Sequence, residues 1–468
     1  MTRATITRPP SVKKPARERQ AEKSTRTFRS AVNYLNSLTN YEQRSRTPYN
    51  TTNFGLTRIQ KILRHLENPH RKFRSLHIAG TKGKGSTAAM LSEMLRGCGF
   101  KVGLYTSPHI LDIRERIVAG GHLISENDFA RTVWQVADAA DAVKVVGATY
   151  FEVMTAAAFQ YFADEEIDIA VVETGLGGRL DATNVLTPEV VGITSISFDH
   201  MAELGHSLEA IAAEKAGIIK KGVPVISAPQ KPNVREVLKA AAEAMNAPLR
   251  FSDENAEYSY RFEHSRVIGK HARICLATPT SRFEHVPVPL PGEHQAANCG
   301  LALGMLDVLK TKGIAIDDQK AVIGLSNVNL PGRMQMIAEN PRILVDGAHN
   351  AASVDALMRA IGQNITYDSM VVIFGCFKDK DISGMIRRIQ VGADKVIFTP
   401  VLSPRSADPA ELAASYMENS GKMAQVAKSL EAAMQIALGA VSREDLICIT
   451  GSFTLVAEAI RKFSAKKA

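Results

Sequence analysis

The chain has 468 residues, 45% of them hydrophobic and 22% charged, and a formal net charge of +9. At ~100–200 residues per domain this gives two or three globular domains, and the composition excludes a collagenous, disordered or disulfide-stapled chain. No apolar run approaches the ~18 residues that a membrane-spanning helix requires, so no membrane association is expected.

Residues 1–29 hold nine basic residues against Glu18 and Glu22, a net +7 that leaves only +2 for the rest. A nearly neutral body lacks the broad basic face of a nucleic-acid-binding protein, and no such partner is expected. Residues 1–29, with Pro, Ser and Thr and almost nothing apolar, read as a disordered basic tail. They lack the apolar segment of a secretory signal; an organelle transit peptide fits too, but a solvated extension is the plainer reading.

Beyond the tail, short β-branched runs alternate with amphipathic stretches. Buried strands are expected at 76–79, 101–105, 167–173, 190–197 and 223–227, with helices at 86–96, 151–162 and 207–219. Continuous apolar strands alternating with helices indicate a mostly parallel sheet covered on both faces. From 249 to 290 the texture is short, polar and strand-like, the mark of a small antiparallel addition to the first domain. A helix follows from about 293 to 310.

Asn329-Leu330-Pro331-Gly332 is a turn signal and a hinge candidate. After it the alternation restarts, with strands at 343–346, 370–374, 395–398 and 446–450. The reading is a first domain over 30–328 and a second α/β domain over 333–468, with a ligand between them. Five cysteines (Cys98, Cys275, Cys299, Cys376, Cys448) stand at least 24 residues apart. That spacing offers neither a CxxC site nor a disulfide framework and suits a reducing cytoplasm.

Chemistry enters first at Gly80-Thr81-Lys82-Gly83-Lys84-Gly85-Ser86, between a strand and a helix. Such a turn points backbone N–H groups at phosphate oxygens, with the positive end of the helix dipole behind them. Lys84 supplies a charge for the outer phosphates and Ser86 a hydroxyl for magnesium. The match to the general phosphate-loop pattern is imperfect, because Ile78 takes the first glycine position and Gly85 follows the lysine.

Glu173 ends an apolar strand, and Asp199-His200 follows another, placing these groups at the sheet's carboxyl edge, where open α/β sheets bind ligands. Ser86, Glu173 and His200 could reach one cation, although magnesium prefers oxygen and the imidazole is the less expected member. Lys215, read alone, is an exposed helical lysine. In the second domain Asp346-Gly347-Ala348-His349-Asn350 again sets an acid, an imidazole and an amide at a strand end. Arg333 is suited to charge moving on phosphate, and Asn298 to an adenine edge or a phosphate.

The phosphate loop, Thr106-Ser107-Pro108-His109, the run from Glu173 to Asn184, Glu214-Lys215-Ala216-Gly217, Pro331-Gly332-Arg333 and Asp346 to Asn350 together resemble the folylpolyglutamate synthase/dihydrofolate synthase family of the Mur-ligase superfamily. The resemblance runs from about 30 to 460, and Gly85-Ser86 is the family's own loop ending. It implies an α/β protein: a Mur-ligase-like P-loop ATPase domain with a mostly parallel sheet, plus a smaller C-terminal Rossmann-like domain. ATP would meet Gly80, Thr81, Gly83, Lys84, Gly85, Ser86, Asn298, Arg333 and Asp346.

The same resemblance implies magnesium, two ions in all, held by Ser86, Glu173, His200 and a carbamylated Lys215, which reverses the plain reading of that lysine. Lys84, Lys215 and His349 would be catalytic. Ser107, His109, Phe151, Glu152 and Asp181 would face the pterin acid, and Ser452, with His349, the incoming L-glutamate. The expected activity is ATP-dependent addition of L-glutamate to dihydropteroate or to the γ-carboxylate of folate, through an acyl phosphate, by a cytoplasmic monomer. A bifunctional enzyme is favoured, with Asp181 and residues 47–58 as selectors. Alternatives are a peptidoglycan-type Mur ligase and a P-loop nucleotide switch; no Asn-Lys-x-Asp guanine signature supports the latter. Ala351 departs from the family, many relatives having Pro there, and the basic tail falls outside the resemblance.

Overall fold

Runs of β-branched residues build the first sheet. The computed structural model describes residues 26–41, 49–254, 259–265 and 269–464. Its first eight strands are β1 (Arg74–Ala79), β2 (Val102–Tyr105), β3 (Ile117–Ala119), β4 (His122–Leu123), β5 (Ile169–Glu173), β6 (Val190–Ile193), β7 (Val225–Ser227) and β8 (Leu249–Phe251). They form one sheet in the order β4-β3-β2-β5-β1-β6-β7-β8. β2, β5, β1, β6, β7 and β8 run parallel. The short strands β3 and β4 close one edge in antiparallel fashion.

Every residue of β5 and β6 is buried, as a sheet with helices on both faces requires. On one face the Lys84–Gly97 and Glu293–Thr311 helices bury Leu91, Met94, Leu301 and Leu306. Each such side chain contributes about 1.5–3 kcal/mol relative to an exposed one. The other face carries the Tyr150–Asp164 and Glu126–Ala142 helices, which bury Phe129, Val133, Phe159 and Phe162.

A second sheet, antiparallel β9 (Ser259–Ser265), β10 (Gly269–Ala277) and β11 (Arg282–Pro287), sets Ala272, Ile274, Leu276 and Phe283 on the first core. The expected antiparallel addition over 249–290 is therefore narrower. β8 pairs in parallel with β7, Val225 opposite Leu249, and belongs to the large sheet.

The last sheet orders β12 (Gln335–Glu339), β13 (Arg342–Asp346), β17 (Leu446–Thr450), β14 (Met370–Phe374), β15 (Lys395–Phe398) and β16 (Gln425–Val426) in that sequence. All pairs are parallel except β12 with β13.

Three expectations change. Residues 1–25 of the expected tail lie outside the described residues, but order begins before residue 30. Thr27 caps a helix over Phe28–Ser37 by accepting from Ser30 N at 3.2 Å, and Ala31 and Leu35, one turn apart, are buried. Arg26 pairs with Asp138 at 2.7 Å and lies over Trp134. The strand expected to 197 stops at Ile193, because the chain then crosses the phosphate loop: Thr81 N donates to Ser195 O at 3.0 Å. The helix expected to 219 stops at Ala216, with Gly217 as its cap.

Candidate active site

Parallel register brings four strand ends side by side. Ile78 lies opposite Glu173, Tyr105 opposite Val172 and Ala79 opposite Ile193. The loops after β2, β5, β1 and β6 therefore share one carboxyl edge. In the second lobe Asp346 and Phe374 both lie opposite Thr450, which groups the loops after β13, β17 and β14. The two edges face each other.

The phosphate loop needs its glycines. Gly83 has φ +89°, and a Cβ there would run into the Asn298 side chain. Gly80 would likewise collide with Thr194. The loop wraps under the first turn of the Lys84–Gly97 helix, so orphan N–H groups and the helix dipole meet in one concavity. Thr81 is fastened at its back, where its hydroxyl donates to Ser197 O and accepts from Ser197 N, both at 3.1 Å.

Glu173 is 4% exposed. Its Oε2 accepts from Ser107 N at 3.1 Å, and Lys84 Nζ stands 3.8 Å from Oε1. Burial raises its pKa, opposed by Lys84, the Ser107 hydrogen bond and Arg333. A Cβ on Gly85 would lie 3.4 Å from Oε2, so the carboxylate faces the turn that carries the buried Ser86.

Lys215 is buried, not exposed; its Nζ donates to Gly80 O at 2.7 Å. Burial and the neighbouring cations Lys84 and Lys82 lower its pKa to about 7. The Leu208–Ala216 helix holds it there, strapped to the glycine loop by Arg179 N donating to Glu214 O at 2.8 Å and by the Arg179–Glu214 ion pair.

Across the cleft Asp346 is buried with its pKa raised by burial, and accepts from Met334 N at 2.9 Å and Ala348 N at 2.8 Å. Arg333 lies over the Phe453 ring at 4.8 Å and bears electrostatically on both Asp346 and Glu173. His349 hydrogen-bonds through Nδ1 to Gly347 O at 2.8 Å and places Nε2 3.4 Å from Lys82 Nζ. Burial and that lysine hold its pKa well below the usual imidazole range.

Other predicted residues are engaged elsewhere. Both Glu152 oxygens accept from Arg58 Nε, at 3.0 and 3.1 Å, and Oε2 also caps Thr149 N. Asp181 spends its oxygens on Gly175 N, Leu176 N and Thr183 N. Ser452 caps the Phe453–Phe463 helix and is 2% exposed. Each of these three groups thus fastens a loop or a helix start within its own lobe. His109 Nδ1 accepts from Arg116 Nε at 2.9 Å, and Phe151 lies against Gly175.

Of the expected metal set, Ser86, Glu173 and Lys215 are buried and His200 is the exposed member. His200 adopts φ +49°, its side chain is 49% exposed, and its Nε2 stands 3.9 Å from Asp199. Among the described residues no three His, Cys, Asp or Glu side chains converge as a metal site.

Two polar groups went without a role in the sequence reading. Asp199 accepts from Lys82 Nζ at 2.7 Å and from Asn350 Nδ2 at 3.1 Å, across the cleft. Lys380, 4.0 Å from the same carboxylate, carried no sequence signal beyond a charged turn.

Residues 78–306 match the Mur ligase middle domain and residues 332–453 the Mur ligase, glutamate ligase domain. Fold and matches define a ligase of the Mur class, built as a nucleotide-loop domain with a smaller α/β domain. The chain is 36% identical over 357 residues to the dihydrofolate synthase/folylpolyglutamate synthase of Bacillus subtilis, covering 75% of this chain and 82% of that one. It superposes on Escherichia coli FolC in complex with DHPP and ADP with a TM-score of 0.80 at 27% identity, over 94% of this chain and 99% of that one. It also matches the Yersinia pestis bifunctional folylpolyglutamate synthase/dihydrofolate synthase complexed with AMPPNP and Mn ion, with a TM-score of 0.77 at 28% identity, over 93% and 97%. The chain belongs to the folylpolyglutamate synthase/dihydrofolate synthase family. Among the described residues no helix is long and apolar enough to cross a membrane.

Proposed function

We propose that this chain joins L-glutamate to the carboxylate of a pterin-derived acid, dihydropteroate or a reduced folate, with ATP cleaved to ADP and phosphate. One observation carries the reading: the phosphate loop of one lobe touches the His349 loop of the other, Lys82 Nζ lying 3.4 Å from His349 Nε2. A triphosphate on the loop thus lies where an acid and an amine from the second lobe can meet it.

The acid's oxygen attacks the γ-phosphorus, breaking the bond to ADP and giving an acyl phosphate. The amine of glutamate then forms the C–N bond, phosphate leaves, and the ammonium's proton is released. Loop N–H groups, Lys84 and Arg333 offset charge on the transferring phosphoryl. Asn298, packed on Gly83, and Asp346 bracket the nucleotide from the two lobes.

The residues fit a divalent cation. Glu173 is a buried carboxylate whose cationic neighbour stands beyond hydrogen-bond distance, and it faces Ser86. Glu173 and Ser86 would hold the ion, with His200 as a third ligand; such an ion neutralises phosphate charge. Carbamylation of Lys215, which consumes its neutral amine and carbon dioxide and releases a proton, would supply a carboxylate for a second ion. The lowered pKa of that amine supports the step.

The relatives' paired names support activity on both acids; that the chain works as a monomer in the cytoplasm is part of the same proposal. Radiolabelled glutamate offered with dihydropteroate and with tetrahydrofolate separately tests this: label should enter both products. Incorporation with neither acid would reject the reading. Lys84→Ala should lower turnover by at least about 10²–10³-fold while pterin binding persists, measured by fluorescence titration.

A further inference from the structure

Asp199 and Asn350 come from opposite lobes and have no part in the chemistry above. Asp199 follows β6, and its side chain is 11% exposed. One oxygen accepts from both Lys82 Nζ (2.7 Å) and Asn350 Nδ2 (3.1 Å), while the other faces Lys380 Nζ at 4.0 Å and His200 Nε2 at 3.9 Å.

Each second-lobe partner is fixed from behind. Asn350 Oδ1 accepts from Ser353 N at 2.9 Å, capping the Ala351–Asn364 helix, so its amide N–H₂ is the end left to point at the first lobe. Lys380 sits in a turn whose Asp379 takes a two-pronged pair from Arg405, itself lying over Phe377 at 4.7 Å. Asp199 is a buried carboxylate bonded from both lobes, the kind of hydrogen-bonded group whose loss leaves its partners unpaired.

We infer that Asp199 is a positioning residue that keeps the lobes closed during turnover, tying the phosphate-loop lysine Lys82 to Asn350 and Lys380 of the second lobe. The inference rests on the glutamate-ligase reading. An acyl phosphate has two fates. The amine of glutamate can displace phosphate and form the amide, or water can attack the same carbonyl and return the free acid and phosphate, a net hydrolysis of ATP. Which one wins depends on how well the closed lobes keep water out. Loosening the Asp199 contact should therefore raise phosphate release per amide formed, with the KM for ATP little changed.

The test uses the full chain with Asp199→Asn, Asn350→Asp and the two combined. Asn350→Asp keeps the oxygen that caps Ser353 but sets carboxylate against carboxylate. The combined variant exchanges acceptor and donor across the cleft and preserves total charge. Phosphate release and labelled-glutamate incorporation are measured together. The phosphate-to-amide ratio should rise about five- to ten-fold in each single variant, the scale of coupling within one hydrogen-bonded network. The exchange should bring it back most of the way to the wild-type value. An unchanged ratio in both single variants, or an exchange no better than either, overturns the assignment.

Small-angle scattering of the same four proteins reads closure apart from chemistry. The single variants should be more expanded than wild type and the exchange compact again, whereas four identical profiles would refute the tie. If the wild type makes no amide yet the scattering follows this pattern, the ligase reading fails and the tie between lobes stands.

Discussion

His77 shows how one side chain can carry a pH dependence. It lies wholly buried in β1 and meets Thr183 Oγ1 through Nε2 at 2.8 Å, and the Thr183 hydroxyl in turn bonds to Asp181. Nδ1 finds no partner among the described residues, and burial lowers the pKa from 6.5 to about 3. Because the folded-state value lies below the unfolded one, the unfolded chain takes the proton first. Stability is full above pH 6.5 and falls as the pH drops toward 3, by about 1.4 kcal/mol per unit from this residue. Urea unfolding at pH 7.5 and 5 should therefore differ less in His77→Gln than in wild type. Nothing local announced this: the histidine stands in an apolar strand, and its partner Thr183 is 106 residues away. A separation of 94 residues likewise hid the pairing of Glu152 with Arg58, whereas Asp181 bonds N–H groups only two to six residues away. The family resemblance set both carboxylates toward the pterin acid, and only the structure shows that Glu152 is also bonded to Arg58 and Asp181 to the glycine loop.

Elements were more readable than contacts. The strand β14 is apolar throughout, and β5 and β17 are apolar up to a terminal Glu173 and Thr450, so their burial on both faces was plain from composition. The glycine pattern of the phosphate loop also carried through, because positive φ and close approach restrict those positions to one residue type. Gly83→Ala should cost about 1–3 kcal/mol of stability from strained backbone, and should weaken ATP binding through the displaced Asn298. Urea unfolding and a nucleotide titration check the two parts. By contrast β3, β4, β12 and β16 span two to five residues at or next to sheet edges, and strands so short leave little periodicity to detect. Arg58 anchors another element: besides Glu152 it donates to Thr52 O at 2.9 Å and Asn53 O at 2.6 Å. Glu152→Gln should raise the KM for the pterin acid and leave that for ATP nearly unchanged, as steady-state kinetics with each substrate varied will show.

At the scale of the whole molecule the two lobes share more than a cleft. Ile110 and Leu111, in the loop after β2, pack on the core of the second lobe, and Arg461 donates to Leu111 O at 2.7 Å. A nucleotide bound between lobes already in contact should stabilise both together. ATP with magnesium at 100 times Kd is expected to add about 2.7 kcal/mol, visible as a single raised melting transition. Two separate transitions, only one of them shifted by ATP, would show that the lobes unfold independently. The strand ends were legible in the sequence, but not this apolar seam, since a two-residue patch has no pattern of its own. The seam also bears on how the protein is made. Ile110 and Leu111 leave the ribosome long before Val456 and Ile460, the residues of the C-terminal helix in the core they join. For most of translation the nascent chain carries these side chains uncovered, so this protein should lean on chaperones that shield such patches until the final helix arrives.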